Sequence, residues 1–236
     1  MNQATLSRAG AVRLVANVPA HGFSAVFRAI AWLRHAPAVH PRGVTFAARL
    51  TVDQQIPLIP PGDHLATVRL SKGAGTPGGL PDVLGVALRL HLQEPVEPCD
   101  FLFSSAGDGR WSRWLPVPAG DWSATRYGTL APYESAGRWW WLMLTPSGPP
   151  IRHASIQQLE HSAPPGFALH IGGEAADWRQ IGRLDLHERL DEPGLVFDPV
   201  LNHPHGALPA PSWLRDLRER AYSGSRQGRN APPPVA

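Results

Sequence analysis

Alternating apolar and polar residues predict a series of β-strands along the chain. From Val44 to Val52 every second residue is apolar, and residues 66–71 repeat the pattern with Arg69 and Ser71 together on the polar face. Because successive side chains of a strand point to opposite faces, both segments are predicted as half-buried strands. Further strands are predicted at 83–92, 101–103, 138–145, 166–172 and 180–190.

Two helices are predicted near the ends of the chain. Apolar residues recur at helical spacing from Phe23 to Leu33, and this helix ends by Pro37. The second opens near Ser212, a residue suited to cap a helix, and carries Leu214 and Leu217 on one face. The predicted organisation is a lead-in at 1–20, a single domain at 21–229 and a disordered tail at 230–236.

Composition favours a folded protein of many short elements. Of the 236 residues, 43% are hydrophobic and 17% are charged, which suits one domain with a hydrophobic core. The 26 prolines and 23 glycines predict frequent turns and disfavour a long helical bundle. Three consecutive tryptophans at 139–141 are interpreted as barrel-wall packing, with a stacking platform for bases or sugars as the alternative.

Charge and cysteine content narrow the classes of function. The net charge is only +3 and Lys72 is the sole lysine, so nucleic-acid binding is not favoured. A lone cysteine, Cys99, excludes an intrachain disulfide and is interpreted as a small buried hydrophobe in a cytoplasmic protein. The sequence offers neither a convincing secretory signal nor a run of about 20 apolar residues that could span a membrane.

One candidate for chemistry lies in the C-terminal helix. Arg218 and Tyr222 are four residues apart and therefore share a helical face. A neighbouring cation lowers the pKa of a phenol, and phenolate is the form in which tyrosine ligates ferric haem iron. The alternative is a solvated basic helix with one amphipathic tyrosine.

A second candidate is His40, which precedes the first strand in the run Val39-His40-Pro41-Arg42-Gly43. A histidine at a strand entrance can project into a cavity and shuttle a proton, because its ordinary pKa is about 6.5. The alternative is a hydrogen-bonded structural histidine.

Taken in order, these and other segments resemble the haem catalases. The resemblance covers about residues 35–105 and 195–229. It is carried by His40-Pro-Arg-Gly43, Val68-Arg69-Leu-Ser71 with Gly73 and Gly75, Pro81-Asp82-Val-Leu-Gly85-Val-Ala87-Leu-Arg89, Asp100-Phe-Leu-Phe-Ser104, Phe197-Asp198-Pro199 and Arg218-x-x-x-Tyr222-x-x-x-Arg226.

The resemblance implies an α+β fold of the catalase-core type, in which haem b lies between an antiparallel β-barrel and a C-terminal helix. It assigns Tyr222 as the iron ligand, Arg218 as the cation that keeps it ionised, and Arg226 as a further basic contact. His40 takes the distal acid/base role and Ser71 orients it. Arg69 would pair with a haem propionate, as the planar guanidinium suits a carboxylate.

The sequence departs from the family at two distal positions. Ser104 stands where catalases hold peroxide with an asparagine, with Ser105 next to it, and Pro37 replaces an arginine. The chain also lacks the threading arm and the wrapping segment of ordinary catalases, so its own quaternary structure cannot be inferred from theirs. A homo-oligomer is one possibility.

The function expected from the resemblance is a haem-dependent peroxidase or weak catalase. Its partners would be hydrogen peroxide or an organic hydroperoxide and a small reductant, and the allene oxide synthases are similar through the same Arg-x-x-x-Tyr helix. One alternative is a non-enzymatic barrel that binds haem or lipid. Another is a hydrolase built on histidines such as His203 and His205, although these flank a single proline and give no convincing metal spacing.

Overall fold

Ten β-strands account for almost all the regular structure in the described residues, which are 43–92, 97–191 and 195–212 of a computed structural model. One short helix, α1 (Ile156–His161), and a single 3₁₀ turn at Ser112–Trp114 accompany them. The strands are β1 (Gly43–Val52), β2 (Gly62–Lys72), β3 (Leu84–His91), β4 (Cys99–Ser105), β5 (Tyr127–Gly128), β6 (Tyr133–Ser135), β7 (Arg138–Pro146), β8 (Gly166–Gly172), β9 (Arg179–Leu190) and β10 (Leu208–Pro209).

Eight of these strands close into an antiparallel barrel. Their order is β1, β2, β3, β4, β5, β7, β8 and β9, and β9 pairs back onto β1. The remaining two, β6 and β10, extend the sheet outward from the beginning of β7. Closure gives every barrel strand two neighbours, so its backbone groups are satisfied within the wall.

The barrel interior is filled by the apolar half of each alternating strand. Along β1, Phe46, Ala48 and Leu50 are buried in the core, while Arg49 between them is exposed. The same alternation continues around the wall, and the core includes Val68, Leu70, Val86, Leu88, Phe101, Phe103, Leu142, Leu144, Leu169, Ile171 and Leu184. The polar and small residues between them therefore lie on the outer face of the barrel.

The predicted strands are confirmed, and the barrel is the part of the predicted fold that the structure shows. Predicted and observed bounds agree within a few residues, and residues 166–172 form β8 without a shift. Strands β5, β6 and β10 and helix α1 were not predicted, because segments of two to six residues carry too little periodicity. The helix at 23–33, the C-terminal helix beyond Ser212, the lead-in and the tail lie outside the described residues.

The structure also bears on the lone cysteine and on long apolar helices. Cys99 is buried, as expected of a small hydrophobe, and burial raises the pKa of its thiol. Within the described ranges, no helix is long and apolar enough to cross a membrane.

Two leucines of adjacent strands should differ in how much they contribute to the free energy of unfolding. Leu50 is fully buried in β1, whereas Leu65 in β2 is 63% exposed. We expect Leu50→Ala to lower the free energy of unfolding by about 2–5 kcal/mol, because it removes apolar contacts and leaves a cavity. Leu65→Ala should change it by about 0.5 kcal/mol or less. Urea unfolding of both variants measures this, and equal losses would contradict the barrel interior described above.

Candidate functional site

A row of five small residues crosses the outer face of the barrel from β1 to β5. Cross-strand pairs connect them in sequence: Gly43 with Ser71, Ser71 with Gly85, Gly85 with Ser104, and Ser104 with Gly128. With neighbouring strands about 4.8 Å apart, this small-residue row extends about 19 Å along the wall. It brings two of the predicted site residues, Ser71 and Ser104, to either side of Gly85.

Glycine at two positions of the row keeps the surface low. A Cβ atom on Gly85 would come 3.2 Å from Ser71 Oγ, so this hydroxyl lies beside the bare Cα. A Cβ atom on Gly43 would come 2.6 Å from the carbonyl oxygen of Leu70, so a larger residue there forces the backbone to shift. The result is a low stretch of wall, here called the floor, on which Ser104 is half-buried and the Ser71 hydroxyl is buried.

Arg69 lies beside this floor. It is two residues before Ser71 on the same face of β2, and its Nε lies 3.1 Å from where a Cβ on Gly43 would be. Its Nη1 donates a hydrogen bond to Thr45 Oγ1 at 3.3 Å. Burial lowers the pKa of Arg69 below its ordinary value, yet arginine remains charged at neutral pH. The site therefore has a cation at one edge.

The two neighbouring serines of β4 have different environments. Ser104 lies on the outer face and is partly exposed. Ser105 is fully buried on the opposite face, where its Oγ accepts a hydrogen bond from the backbone N–H of Leu84 and donates one to the carbonyl of Val117. Only Ser104 of this pair can therefore face a ligand at the small-residue row.

The remaining predicted site residues lie outside the described residues. These are His40, the candidate acid/base, and the C-terminal set of Arg218, Tyr222 and Arg226. The structure thus brings together Arg69, Ser71 and Ser104 and leaves the positions of the other four as predictions. Within 43–92, 97–191 and 195–212, no group of three or more His, Cys, Asp or Glu side chains could hold a metal ion.

The described tyrosines nevertheless bear on the choice of ligand. The chain has three tyrosines, and two of them, Tyr127 and Tyr133, belong to the buried core. Tyr127 donates a hydrogen bond from its hydroxyl to the carbonyl of Trp122 at 2.8 Å, and burial raises the pKa of its phenol. Tyr127 is thus held as a neutral phenol, and neither core tyrosine can reach the outer face. Tyr222, the third tyrosine, lies outside the described residues.

A buried polar cluster adjoins this face, and sequence reasoning did not find it. Asp100 in β4 is fully buried and pairs across the strands with Arg89 in β3. The guanidinium donates from Nε to Asp100 Oδ1 and from Nη2 to Asp100 Oδ2, both at 2.7 Å. The same Oδ2 accepts hydrogen bonds from the backbone N–H of Asp198 at 2.7 Å and from Asn202 Nδ2 at 2.8 Å.

This cluster fastens the 195–202 segment to the barrel wall. Arg89 Nη2 also donates to the carbonyl oxygen of Val196 at 2.8 Å, and its guanidinium lies 5.4 Å from the centre of the Phe197 ring. Arg89, Asp100, Phe197 and Asp198 were all part of the motifs quoted for the resemblance, but only strand register reveals that they meet. Three motifs, the last nearly one hundred residues after the second, therefore form one structural unit.

The tryptophan run has a separate role in β7, the strand that pairs with β5 at the end of the small-residue row. Trp140 packs against the core, whereas Trp141 is buried on the outer side beneath Arg113, whose guanidinium carbon lies 3.5 Å from the ring centre. Arg113 also donates from Nη1 to the carbonyl of Gly173 at 2.6 Å. The face of Trp141 is thus occupied by the protein itself, which supports wall packing rather than a stacking platform.

Neither a scan of protein-family models nor a search of curated proteins finds a match to this chain. The likeness to the catalases therefore rests on the ordered motifs.

The buried contacts of Arg113 should contribute to stability, and the exposed Arg110 serves as the control. We expect Arg113→Met to lower the free energy of unfolding by about 2–4 kcal/mol, because it removes charge-assisted hydrogen bonds to buried carbonyls. Arg110→Met, at an exposed neighbouring position, should change it by about 0.5 kcal/mol or less. Urea unfolding compares the two, and a loss confined to Arg110→Met would contradict the role given to Arg113.

Proposed function

We propose that the protein is a haem-dependent peroxidase or weak catalase with a catalase-core type of α+β fold, acting on hydrogen peroxide or organic hydroperoxides. The observation that carries this proposal is the meeting of Arg69, Ser71 and Ser104 on one outer face of the barrel. The motif resemblance assigns all three to the haem side, and they come from two strands separated by β3. Their common orientation required a specific strand register, which the motifs alone could not supply.

The described part of the site supports the assignment of haem b. A flat macrocycle needs a surface without protruding side chains, and no residue of the small-residue row carries a side chain longer than serine. Its propionates need a cation at the edge, and Arg69 lies there with a guanidinium suited to pairing with a carboxylate. Tyr222 would ligate the iron, Arg218 would hold its phenol in the ionised form, and Arg226 would add a further basic contact.

When bound, haem supplies the iron at which the O–O bond of a peroxide is cleaved. The protein moves the proton that this cleavage requires. His40 takes a proton from one peroxide oxygen and returns it to the leaving oxygen, as a general base and then a general acid. Ser71 orients the His40 ring, and the Ser104 hydroxyl donates a hydrogen bond to the peroxide.

The position of Gly43 in the row limits how far His40 can lie from the site. His40 precedes Gly43 by three residues, and three extended residues reach no further than about 11 Å. Gly43 pairs with Ser71 at the β1 end of the row. The covalent chain therefore allows His40 to approach Ser71, as the assigned pairing requires.

The acid/base role gives a kinetic prediction. We expect His40→Ala to keep haem bound but to slow the reaction with peroxide by about 10²-fold or more, the usual range for losing a positioned acid/base. His187→Ala, at an exposed position of β9, is the control and should react at the wild-type rate. Stopped-flow mixing of the haemin-loaded proteins with hydrogen peroxide measures both rates.

Unchanged kinetics in His40→Ala would return this histidine to a structural role. Wild-type protein that binds haemin without reacting with peroxide would instead favour the non-enzymatic haem-binding barrel.

Ser104 gives a prediction about the balance of the two activities. A serine hydroxyl is shorter than an asparagine amide and rotates freely, so it is the less rigid donor. Losing one preorganised donor costs about 10²-fold or more where it acts on the transition state. We therefore expect Ser104→Asn to raise oxygen evolution from hydrogen peroxide more than it raises oxidation of an organic dye.

An oxygen electrode and a dye assay on the same samples provide the ratio, so that differences in haem loading cancel. Equal changes in the two activities would mean that Ser104 does not contact peroxide.

A further inference from the structure

We infer that Asp100 is a positioning residue of the proposed haem site: its buried carboxylate holds the 195–202 segment against the barrel and thereby sets how tightly the protein retains haem. The inference rests on the proposed function.

Asp100 lies between β4, which carries Ser104, and the 195–202 segment, and the proposed site depends on both. It lies four residues before Ser104 on the same outer face of β4, about 13 Å away along the strand. From the 195–202 segment the chain continues to the Arg218-x-x-x-Tyr222 motif. Asp100 therefore connects two parts of the chain. One is the barrel wall that carries Ser104, and the other is the segment that leads to Tyr222, the proposed ligand.

The hydrogen bonds of Asp100 come from both sides of this junction. Arg89 approaches from the wall, and the Asp198 backbone and the Asn202 amide approach from the segment. The backbone N–H of Asp100 also donates to the carbonyl of Asn202 at 2.7 Å. Because the carboxylate is fully buried, water does not compete for its hydrogen bonds. These hydrogen bonds fix the position of the 195–202 segment relative to β4.

Burial of this ion pair is poorly explained by stability alone. Removing two charges from water costs about as much as their attraction returns, so buried pairs replaced by apolar residues often leave stability unchanged. What an apolar pair cannot reproduce is the direction of the bonds to Asp198 and Asn202. We therefore assign the cluster to positioning, and this role can be separated from stability by experiment.

The test compares two double variants in the full-length protein. Arg89→Met with Asp100→Leu removes the buried pair without leaving either charge unpaired. Arg183→Met with Asp185→Leu is the matched control, since it removes the ion pair of β9 whose arginine and aspartate side chains are 65% and 43% exposed. Urea unfolding, amide hydrogen exchange and haemin titration are measured on both.

For the buried double variant we expect faster exchange at the amides of Asp198 and Asn202, with only a small fall in the urea midpoint, because the donors that lose Asp100 can bond to water once the segment is released. Haemin should bind at least about tenfold more weakly, the loss expected when one charge-assisted hydrogen bond no longer holds the segment. The control should match the wild type in all three measurements.

Each contrary outcome has a distinct meaning. Unchanged exchange at Asp198 and Asn202 would overturn the positioning role. Faster exchange with unchanged haemin affinity would overturn the link to the haem site. A wild type that takes up no haemin would overturn the proposed function and with it the haem part of this inference, while the exchange data would still decide whether Asp100 holds the segment.

A single variant keeps the test decisive if the double variant does not fold. Asn202→Asp leaves the barrel intact and sets a carboxylate against Asp100, so that repulsion should release the segment. We expect faster exchange at Asp198 and weaker haemin binding than in Asn202→Ala, which loses the same donor without adding charge. Equal behaviour of the two variants would overturn the inference.

Discussion

Pairing of β9 with β1 is the constraint on which the rest of the structure depends. It closes the wall, so that one face of every strand must point into a common interior. Apolar residues fill that interior, and the polar or small residues between them must then face outward. The side chains assigned to chemistry, Arg69, Ser71 and Ser104, lie outside the barrel for this reason. A haem bound at these residues, as proposed, would therefore lie against the wall and not within the barrel.

Two properties of the wall make its outer face suitable for such a site. Small residues are aligned across five strands and leave a low floor between two serines, with Arg69 at its edge. Next to it, the buried carboxylate of Asp100 attaches the 195–202 segment by bonds of defined direction. In the proposed site, haem would lie over this floor, and the attached segment would lead toward the sequence that holds the proposed ligand. A site that combines a barrel with a distant part of the chain needs both.

Strict alternation made most of the barrel predictable. Residues 166–172 and 43–52 alternate over their whole length, and each forms one strand. Strand β5 has two residues and no pattern, so its place between β4 and β7 could not be predicted. Strand register could not be predicted either. Arg89 and Asp100 belong to separate motifs, and only the pairing of β3 with β4 shows that they lie opposite each other. Ser104 and Ser105 are adjacent and chemically alike, and only the pleat of β4 separates their environments.

The absorbance spectrum of the protein with added haemin tests the central claim most directly. Of the three tyrosines, Tyr127 and Tyr133 are buried in the core, so a tyrosinate-type spectrum points to Tyr222. We predict that the wild type gives the Soret and charge-transfer bands of five-coordinate ferric haem with a tyrosinate ligand. We also predict that Tyr222→Phe loses them while retaining the far-ultraviolet circular dichroism of the barrel. Identical bands in the two proteins, or no haemin uptake by the wild type, would contradict it.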